Sequence, residues 1–291
     1  MAQAIDMSVV EQALSGFTIP PQPEVLQHIQ QQVDTGTPSM KRIAALINLD
    51  IGIAGFTLKV VNSAFFGLRN KITSIEHACA FLGLNRVVKL VRSILVRYTL
   101  SEGRDDKFNH LLWTSALYTG NAAMALARQF NLSHQIQDDC YSLGLFHNAG
   151  IALICEQARN YPQLMRQGLQ AQQGYSETEE QHFSTCHEVL GYLIAKSWGL
   201  TDELCNVIAY HHSPQLILAS DNELERQLFA LLKLAEHLTG ESRQLFGINI
   251  DPEWELHRGA ILDVLELDTF NLPELAEMLH RQDMKTIYAV R

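Results

Sequence analysis

The chain has 291 residues, of which 47% are hydrophobic and 19% are charged. This composition disfavours a disordered chain and a membrane-embedded protein, and the low counts of glycine (17) and proline (8) disfavour a turn-rich β fold. The formal net charge of -10 argues against a nucleic-acid-binding protein. We therefore expect a mostly helical protein with a packed core.

Apolar residues recur at helical spacing along most of the chain. The first run, EVLQHIQQQV, starts at Glu24, and the second, MKRIAALI, follows the helix-start residues Pro38 and Ser39. Further helices are predicted over 52–62, 75–83, 84–99, 107–130, 134–146, 149–158, 161–172, 186–198, 202–212, 223–239, 253–266 and 272–289. Because no stretch alternates with period two, the pattern predicts an all-α helical bundle.

The positive charges are concentrated in the first third of the chain. Residues 1–100 hold 9 Lys/Arg and 6 Asp/Glu, whereas the rest holds 13 and 26. Arg86, Lys89 and Arg92 are spaced by three in the predicted helix 84–99 and therefore lie near one face. We interpret this face as solvated, and a contact with an anion or an acidic partner is the alternative.

Neither the cysteines nor the N-terminus points to an oxidising compartment. The N-terminal stretch carries acids instead of a basic segment followed by an apolar one, and no run approaches the ~20 apolar residues that span a bilayer. We therefore expect a cytoplasmic protein without a membrane partner. The five cysteines form no C-x-x-C pair and are interpreted as small buried hydrophobic residues: Cys79, Cys140, Cys155, Cys186 and Cys205.

Histidine is the residue type that suggests chemistry. The sequence lacks G-x-x-x-x-G-K-[ST], G-x-G-x-x-G, G-x-S-x-G and H-E-x-x-H, the signatures of four common enzyme classes. Four histidines lie in or beside predicted helices of the middle region: His147, His187, His211 and His212. Imidazoles that converge from separate helices suit a transition metal or acid–base catalysis. Taken singly, each is more often a hydrogen-bonded core residue.

A second motif surrounds Asn62. Asparagine tolerates left-handed backbone geometry and bonds to neighbouring backbone groups, so Asn62 is predicted to end one helix and to hold the following turn. Phe65 and Phe66, which follow it, are interpreted as packing residues, with a partner-binding aromatic patch as the alternative.

Several of these segments together resemble a known family. The first half supplies IPPQPEVLQHI, a helix ending at Asp50, the segment NSAFFG, ITSI and a closing LG, and within NSAFFG the residues Asn62, Ser63 and Gly67 stand out. The second half supplies Trp113, GLFHNAG, HEVLGYLIAKSWGL and IAYHHSP. This pattern resembles the bacterial HDOD (HD-related output) domain.

The resemblance implies a two-lobed all-α fold related to the HD phosphohydrolases and the HD-GYP cyclic di-GMP phosphodiesterases. The HDOD domain is expected over 18–215, with an N-terminal helical lobe at 18–100 and an HD-like lobe at 106–215. Residues 216–291 resemble the helical extension that often follows and are expected to pack on the HD-like lobe.

The resemblance also implies that the hydrolytic metal site is degenerate. The positions matching the ligand pattern are Ser115, His147, Asn148, His187, His211, His212 and Glu236. Active relatives have an aspartate at the position of Asn148, where a carboxylate bridges two cations, and a neutral amide does not replace it. Few other carboxylates are expected near the histidines. No cofactor is therefore expected, with a single transition metal on His147, His187, His211 and His212 as the alternative.

Three functions follow from these observations. The first is a non-enzymatic signal-transduction output or scaffold module that acts through contacts with bacterial signalling proteins, and it has no catalytic residues. The alternative is a metal-dependent phosphohydrolase that acts on a nucleotide or cyclic dinucleotide with a reduced metal site. A nucleotide or nucleic-acid sensor that uses the basic first third is the third, and the net charge argues against its nucleic-acid form.

Overall fold

The computed structural model describes residues 7–62, 68, 71–104 and 106–281. These residues form the helices α1 Met7–Gly16, α2 Glu24–Asp34, α3 Met40–Asn48, α4 Ile51–Val61, α5 Ile75–Leu82, α6 Leu84–Ser101, α7 Lys107–Gln129, α8 His134–Phe146, α9 Ala149–Gln157, α10 Tyr161–Gln170, α11 Tyr175–Phe183, α12 His187–Ser197, α13 Asp202–Tyr210, α14 Pro214–Leu218, α15 Glu223–Thr239, α16 Glu241–Phe246, α17 Pro252–Val264 and α18 Leu272–Arg281. No strand occurs in these ranges, so the all-α prediction is confirmed.

Helix α7 lies at the centre of the second half of the molecule and packs against α8 and α15. The crossing of α7 and α8 is close because Gly120 and Gly144 meet there, and a Cβ added to Gly144 would lie 2.3 Å from the Cα of Gly120. Helix α9 approaches α12 in the same way, since a Cβ on Gly150 would lie 2.1 Å from the carbonyl oxygen of His187. The end of α8 and the first turns of α12 also lie close together, since a Cβ on Gly191 would lie 3.4 Å from the carbonyl oxygen of His147.

Helices α2–α6 cover one side of the core formed by α7, α8, α9, α12 and α15. Helices α2–α5 pack around α6, and α6 in turn packs on α8 and α9. The segment before α2 is tied to the far side, because the Trp198 indole donates to the Pro20 carbonyl at 3.1 Å. A continuous set of buried apolar side chains runs through both halves. The lobe boundaries 18–100 and 106–215 stay predictions.

Most predicted helices are present within a few residues of the expected bounds. Four helices, α1, α11, α14 and α16, were not predicted. Helix α11, YSETEEQHF, lacks an apolar stripe, and α16 has only six residues between Gly240 and Gly247, both at positive φ. The helix predicted over 202–212 ends at Tyr210, since Pro214 starts α14.

The cysteines and the helix lengths agree with the sequence-based interpretation. All five cysteines are buried and free of disulfides. Among the described residues, no single helix combines the length and apolar composition needed to cross a bilayer, and only α3 and α4 together, bent by 116°, meet those two criteria.

Asn62 holds the turn after α4. Its side-chain amide donates to the carbonyls of Leu58 at 2.8 Å and Ile72 at 2.7 Å, and its Oδ1 accepts from the Ile72 amide at 2.7 Å. The predicted helix end and its bonds to backbone are therefore confirmed. The other motif residues, Ser63, Phe65, Phe66 and Gly67, lie outside the described residues.

Replacing Asn62 by alanine is expected to lower the free energy of unfolding by about 2 kcal/mol, because the Ile72 amide and carbonyl lose their partner and the Leu58 carbonyl keeps only the backbone amide of residue 62. Urea denaturation followed by circular dichroism measures this loss. The exposed helical residue Gln163, changed to alanine, is the control and should alter stability by less than ~0.5 kcal/mol. Equal effects of the two changes would contradict the structural role of Asn62.

Candidate functional site

The four histidines converge where α8, α12 and α13 meet. Ring centroids lie 5.4 Å apart for His147 and His211, 5.1 Å for His187 and His211, and 4.2 Å for His211 and His212. The predicted clustering is therefore confirmed, and we call these four residues the histidine cluster.

Helix ends place the histidine cluster. His147 caps the C-terminus of α8, His187 is the first residue of α12, and His211 caps the C-terminus of α13. The Nδ1 atoms of His147 and His211 each lie 2.8 Å from a carbonyl oxygen of the preceding turn, Gly144 and Ile208 respectively. A carbonyl only accepts, so both Nδ1 atoms carry a proton and the Nε2 atoms face the interior of the cluster.

A carboxylate from the C-terminal part of the chain occupies one side of the cluster. Glu241, the first residue of α16, accepts from His147 Nε2 at 2.9 Å and from Asn148 Nδ2 at 2.6 Å through its Oε1. Its Oε2 accepts from the Thr119 hydroxyl at 2.5 Å and has a longer contact of 3.4 Å with the Ser115 hydroxyl. Three positions of the expected metal-ligand set, Ser115, His147 and Asn148, thus contact a carboxylate of the same chain.

These contacts define the charge of His147 and Glu241. His147 faces an acceptor at each ring nitrogen, so both nitrogens are protonated and the ring is an imidazolium. Burial disfavours the charged ring, but the Glu241 carboxylate outweighs this and raises the pKa of His147. Burial likewise disfavours ionised Glu241, but His147 and the Thr119 hydroxyl lower its pKa. The pair is a buried salt bridge.

The opposite side of the cluster contains a second such pair. The Nδ1 and backbone nitrogen of His187 both donate to Glu179 Oε2 at 2.7 Å, and Tyr161 donates to Glu179 Oε1 at 2.5 Å. His187 Nε2 lies 3.2 Å from His211 Nε2. Since His211 is protonated on Nδ1, His187 donates across this contact. Despite burial, Glu179 raises the pKa of His187, whereas burial and the neighbouring rings lower that of His211 well below its usual value.

A buried lysine lies beneath the cluster. Lys233 Nζ is 2.7 Å from Glu236 Oε2 and 2.7 Å from Glu253 Oε1, and Glu253 Oε2 accepts from His212 Nδ1 at 2.7 Å. Burial disfavours the ammonium, but the two carboxylates raise its pKa well above the usual value. Burial, only partly offset by Lys233, raises the pKa of Glu236 to about 7. His212 also stacks on Tyr175 at 4.1 Å between centroids.

Comparison with known proteins decides the family. The family model of the HDOD domain matches residues 19–214. The chain belongs to the HDOD family. The resemblance found in the sequence motifs is thereby confirmed, and the histidine cluster, whose members lie at 147–212, falls within the matched part.

The similar proteins share the fold at low sequence identity. An HDOD domain protein of unknown function from Geobacter sulfurreducens is 20% identical, has a TM-score of 0.71 and aligns over 97% of both chains. A protein of Shewanella amazonensis that is provisionally described as a phosphohydrolase is 17% identical over 98% of this chain and 97% of its own, with a TM-score of 0.71. These identities show the fold alone.

A curated relative is longer than this HDOD protein. An uncharacterized protein of Treponema pallidum (strain Nichols) is 28% identical over 199 residues, which are 67% of this chain and 38% of the relative. The chain therefore spans less than half the length of that relative.

The expectation that carboxylates are scarce near the histidines is wrong. Five buried or nearly buried glutamates surround the cluster, and only Glu236 was predicted: Glu179, Glu188, Glu236, Glu241 and Glu253. Helix α11 supplies Glu179 and α16 supplies Glu241, and neither helix was predicted. The two glycines that bracket α16 are the signal that could have found it, since they mark helix ends on both sides.

The basic residues of α6 are used inside the fold. Arg86 binds Asp138 at 2.5 Å and Lys89 binds Asp139 at 2.6 Å, which ties α6 to α8. Arg92 donates to Gln30 at 3.0 Å and to the Gly199 carbonyl at 3.1 Å. This face is therefore only partly exposed to solvent, because acidic side chains of α8, Gln30 of α2 and the Gly199 carbonyl pair with the charges. The alternative of an external anion or partner stays a prediction.

The donor set fits one metal better than two. A two-metal site of the hydrolytic kind needs a bridging carboxylate, but Asn148 is an amide that donates to Glu241, and Glu241 holds His147 Nε2. The remaining histidines, His187, His211 and His212, bring one nitrogen each within 4.8 Å of one another. Two Zn–N bonds of tetrahedral geometry hold their nitrogens roughly 3.3 Å apart, close to the 3.2 Å between His187 and His211.

Changing Lys233 to methionine is expected to lower the free energy of unfolding by about 3–5 kcal/mol, because Glu236 and Glu253 lose their shared buried cation. Thermal and urea denaturation measure the loss. Lys196, which pairs with Asp202 at the surface, is the matched control, and its change to methionine should alter stability by less than ~1 kcal/mol. A loss at Lys233 no larger than that control would show that the ammonium does not hold the site together.

Proposed function

We propose that this HDOD protein is a non-enzymatic output module of bacterial signal transduction, acting in the cytoplasm through contacts with other proteins. The observation that carries the proposal is the contact between Asn148 and Glu241. The position that needs an anionic bridge in a two-metal hydrolase here donates a hydrogen bond of 2.6 Å to a carboxylate.

The charge of the surrounding groups supports the same conclusion. A pair of divalent cations needs anionic oxygens to neutralise and space it. The Glu241 carboxylate beside Asn148 is instead neutralised by the His147 imidazolium, and Lys233 neutralises Glu236 and Glu253. A divalent cation entering beside His147 would have to displace this salt bridge and would face a fixed positive charge.

The size of the relatives supports a modular role. A protein from Marinobacter aquaeolei, provisionally described as a signal transduction protein, shares the fold with a TM-score of 0.68, and this chain covers 66% of it. The chain covers 38% of the Treponema relative. The fold is thus found within longer chains, as expected for a unit that passes a signal between proteins. We also propose a nucleotide as an additional ligand, which is the third function considered from the sequence.

The purified protein is expected to show no hydrolysis of cyclic di-GMP or of a chromogenic phosphodiester when Mn, Fe or Ni ions are added, because the bridging carboxylate is missing. An active HD-GYP phosphodiesterase serves as the positive control for substrate and metal. Product release is followed by chromatography and by absorbance. Metal-dependent turnover that His147→Ala abolishes while circular dichroism stays unchanged would overturn the proposal.

A phosphohydrolase with a single metal is the second candidate, and one observation favours it. His187, His211 and His212 each have Nδ1 bonded to a carboxylate or a carbonyl, at 2.7, 2.8 and 2.7 Å respectively. Metal-binding histidines are usually oriented in this way by partners on the other ring nitrogen. These three residues would hold the metal, and the metal would supply Lewis-acid activation of a bound water.

This candidate predicts bound metal in the purified protein. If His187, His211 and His212 form a metal site, elemental analysis after purification without added metal should find about one transition-metal ion per chain, as three imidazoles favour. His211→Ala should remove it, whereas His182→Ala, which changes a histidine on α11 outside the cluster, should not. Equal metal content in the two variants would exclude the site.

A further inference from the structure

The side of the cluster around Glu241 has the chemistry of an anion receptor. Donors from three places meet there: the Thr119 and Ser115 hydroxyls on α7, the imidazolium of His147 at the end of α8, and the amide of Asn148. All four side chains are at least nine-tenths buried. We call these four residues the carboxylate cradle.

We propose that the carboxylate cradle is a binding site for a carboxylate, which Glu241 of the same chain occupies as an internal ligand. The inference rests on the proposed function, because it assigns a role to the site that has lost its metal bridge. The position at which hydrolytic relatives hold cations would then have been rebuilt to hold an anion.

The distribution of donors identifies the ligand class. Two donors, His147 and Asn148, meet one oxygen, and the Thr119 and Ser115 hydroxyls meet the other. A planar group with two equivalent oxygens satisfies this arrangement. Besides Glu241, Glu236 is the acidic group that approaches the cradle among the described residues: its Oε1 is 3.8 Å from His147 Nε2, and its Oε2 is bound by Lys233 at 2.7 Å. The surroundings thus favour one anion in the cradle.

The internal ligand is separable from the helix that carries it. Helix α16 lies between Gly240 and Gly247, which adopt φ of 70° and 72°. Its other end is held independently, because Leu245 and Phe246 are buried and Arg166 donates to the Phe246 carbonyl at 2.8 Å. Removing the Glu241 side chain beyond Cβ therefore leaves α16 anchored. The four heavy atoms removed by Glu241→Ala are those of one acetate ion.

The experiment is chemical rescue of Glu241→Ala. The melting temperature of this variant is expected to fall by roughly 5 °C or more, since a buried imidazolium loses its counter-charge. Acetate should restore it, with a shift that rises with the logarithm of acetate concentration. Sodium chloride at equal ionic strength should not. Glu241→Gln is the matched control, since its amide fills the cavity without the charge, so it should be destabilised but insensitive to acetate.

A second change tests the donors. Asn148→Asp in the Glu241→Ala background replaces a donor with a like charge and should abolish the acetate shift. The inference is overturned if acetate acts no better than chloride, if Glu241→Gln responds equally, or if inorganic phosphate stabilises where acetate does not. Stabilisation by Zn²⁺ or Mn²⁺ in place of acetate would identify a cation site and also overturn it.

Two further readouts keep the outcomes separate. If Glu241→Ala fails to fold in every salt, Glu241→Gln decides: a melting temperature within about 1 °C of the unmodified chain overturns the inference, and a fall of roughly 5 °C supports it. Turnover of a phosphodiester by the unmodified chain would overturn the proposed function and leave the acetate result standing. If acetate does not shift the melting temperature of Glu241→Ala and the unmodified chain shows no turnover, the carboxylate cradle is overturned and the proposed function stands.

Discussion

The buried salt bridge between His147 and Glu241 determines what the histidine cluster can do. Both groups lie in the interior, where an unpaired charge is very costly, so each requires the other and the hydrogen bonds that complete them. The bridge connects the end of α8 to the start of α16, which packs on α7 and α10. It also keeps His147 Nε2 from acting as a metal ligand.

The other buried charges of the site are also paired with opposite charges. Glu179 balances His187, and Lys233 is shared by Glu236 and Glu253, so every buried charge of these residues has an opposite partner. The partners come from different helices, α11 with α12 and α15 with α17, and for His147 and Glu241 from helices that are 94 residues apart in the chain. The network stabilises the native arrangement only when it is complete, since one missing member leaves another charge unpaired.

The helices whose apolar residues recur at helical spacing were predictable from the sequence. The convergence of the histidines was also predictable, because the family motifs contain them. His147, His187 and His211 lie at helix ends, and near His147 and His211 a glycine or a proline within three residues marks the position. Glu179 was not predictable in the same way, because in YSETEEQHF it looks like one of several solvated acids. Its burial depends on Tyr161 and His187, which lie on other helices, so the pattern of α11 alone does not reveal them.

The amide at position 148 and the carboxylate at position 241 depend on each other. In the observed geometry their side chains are 2.6 Å apart, and an aspartate at 148 would place two carboxylates in contact with no cation between them. An amide turns that repulsion into a hydrogen bond, and in doing so it gives up the bridge that two metals require. Ser115 fits the same scheme, because its hydroxyl faces the Glu241 carboxylate as a donor at 3.4 Å. The neutral side chains at positions 115 and 148 and the presence of an internal carboxylate are therefore linked by one physical constraint, the sign of the charge at the centre of the site.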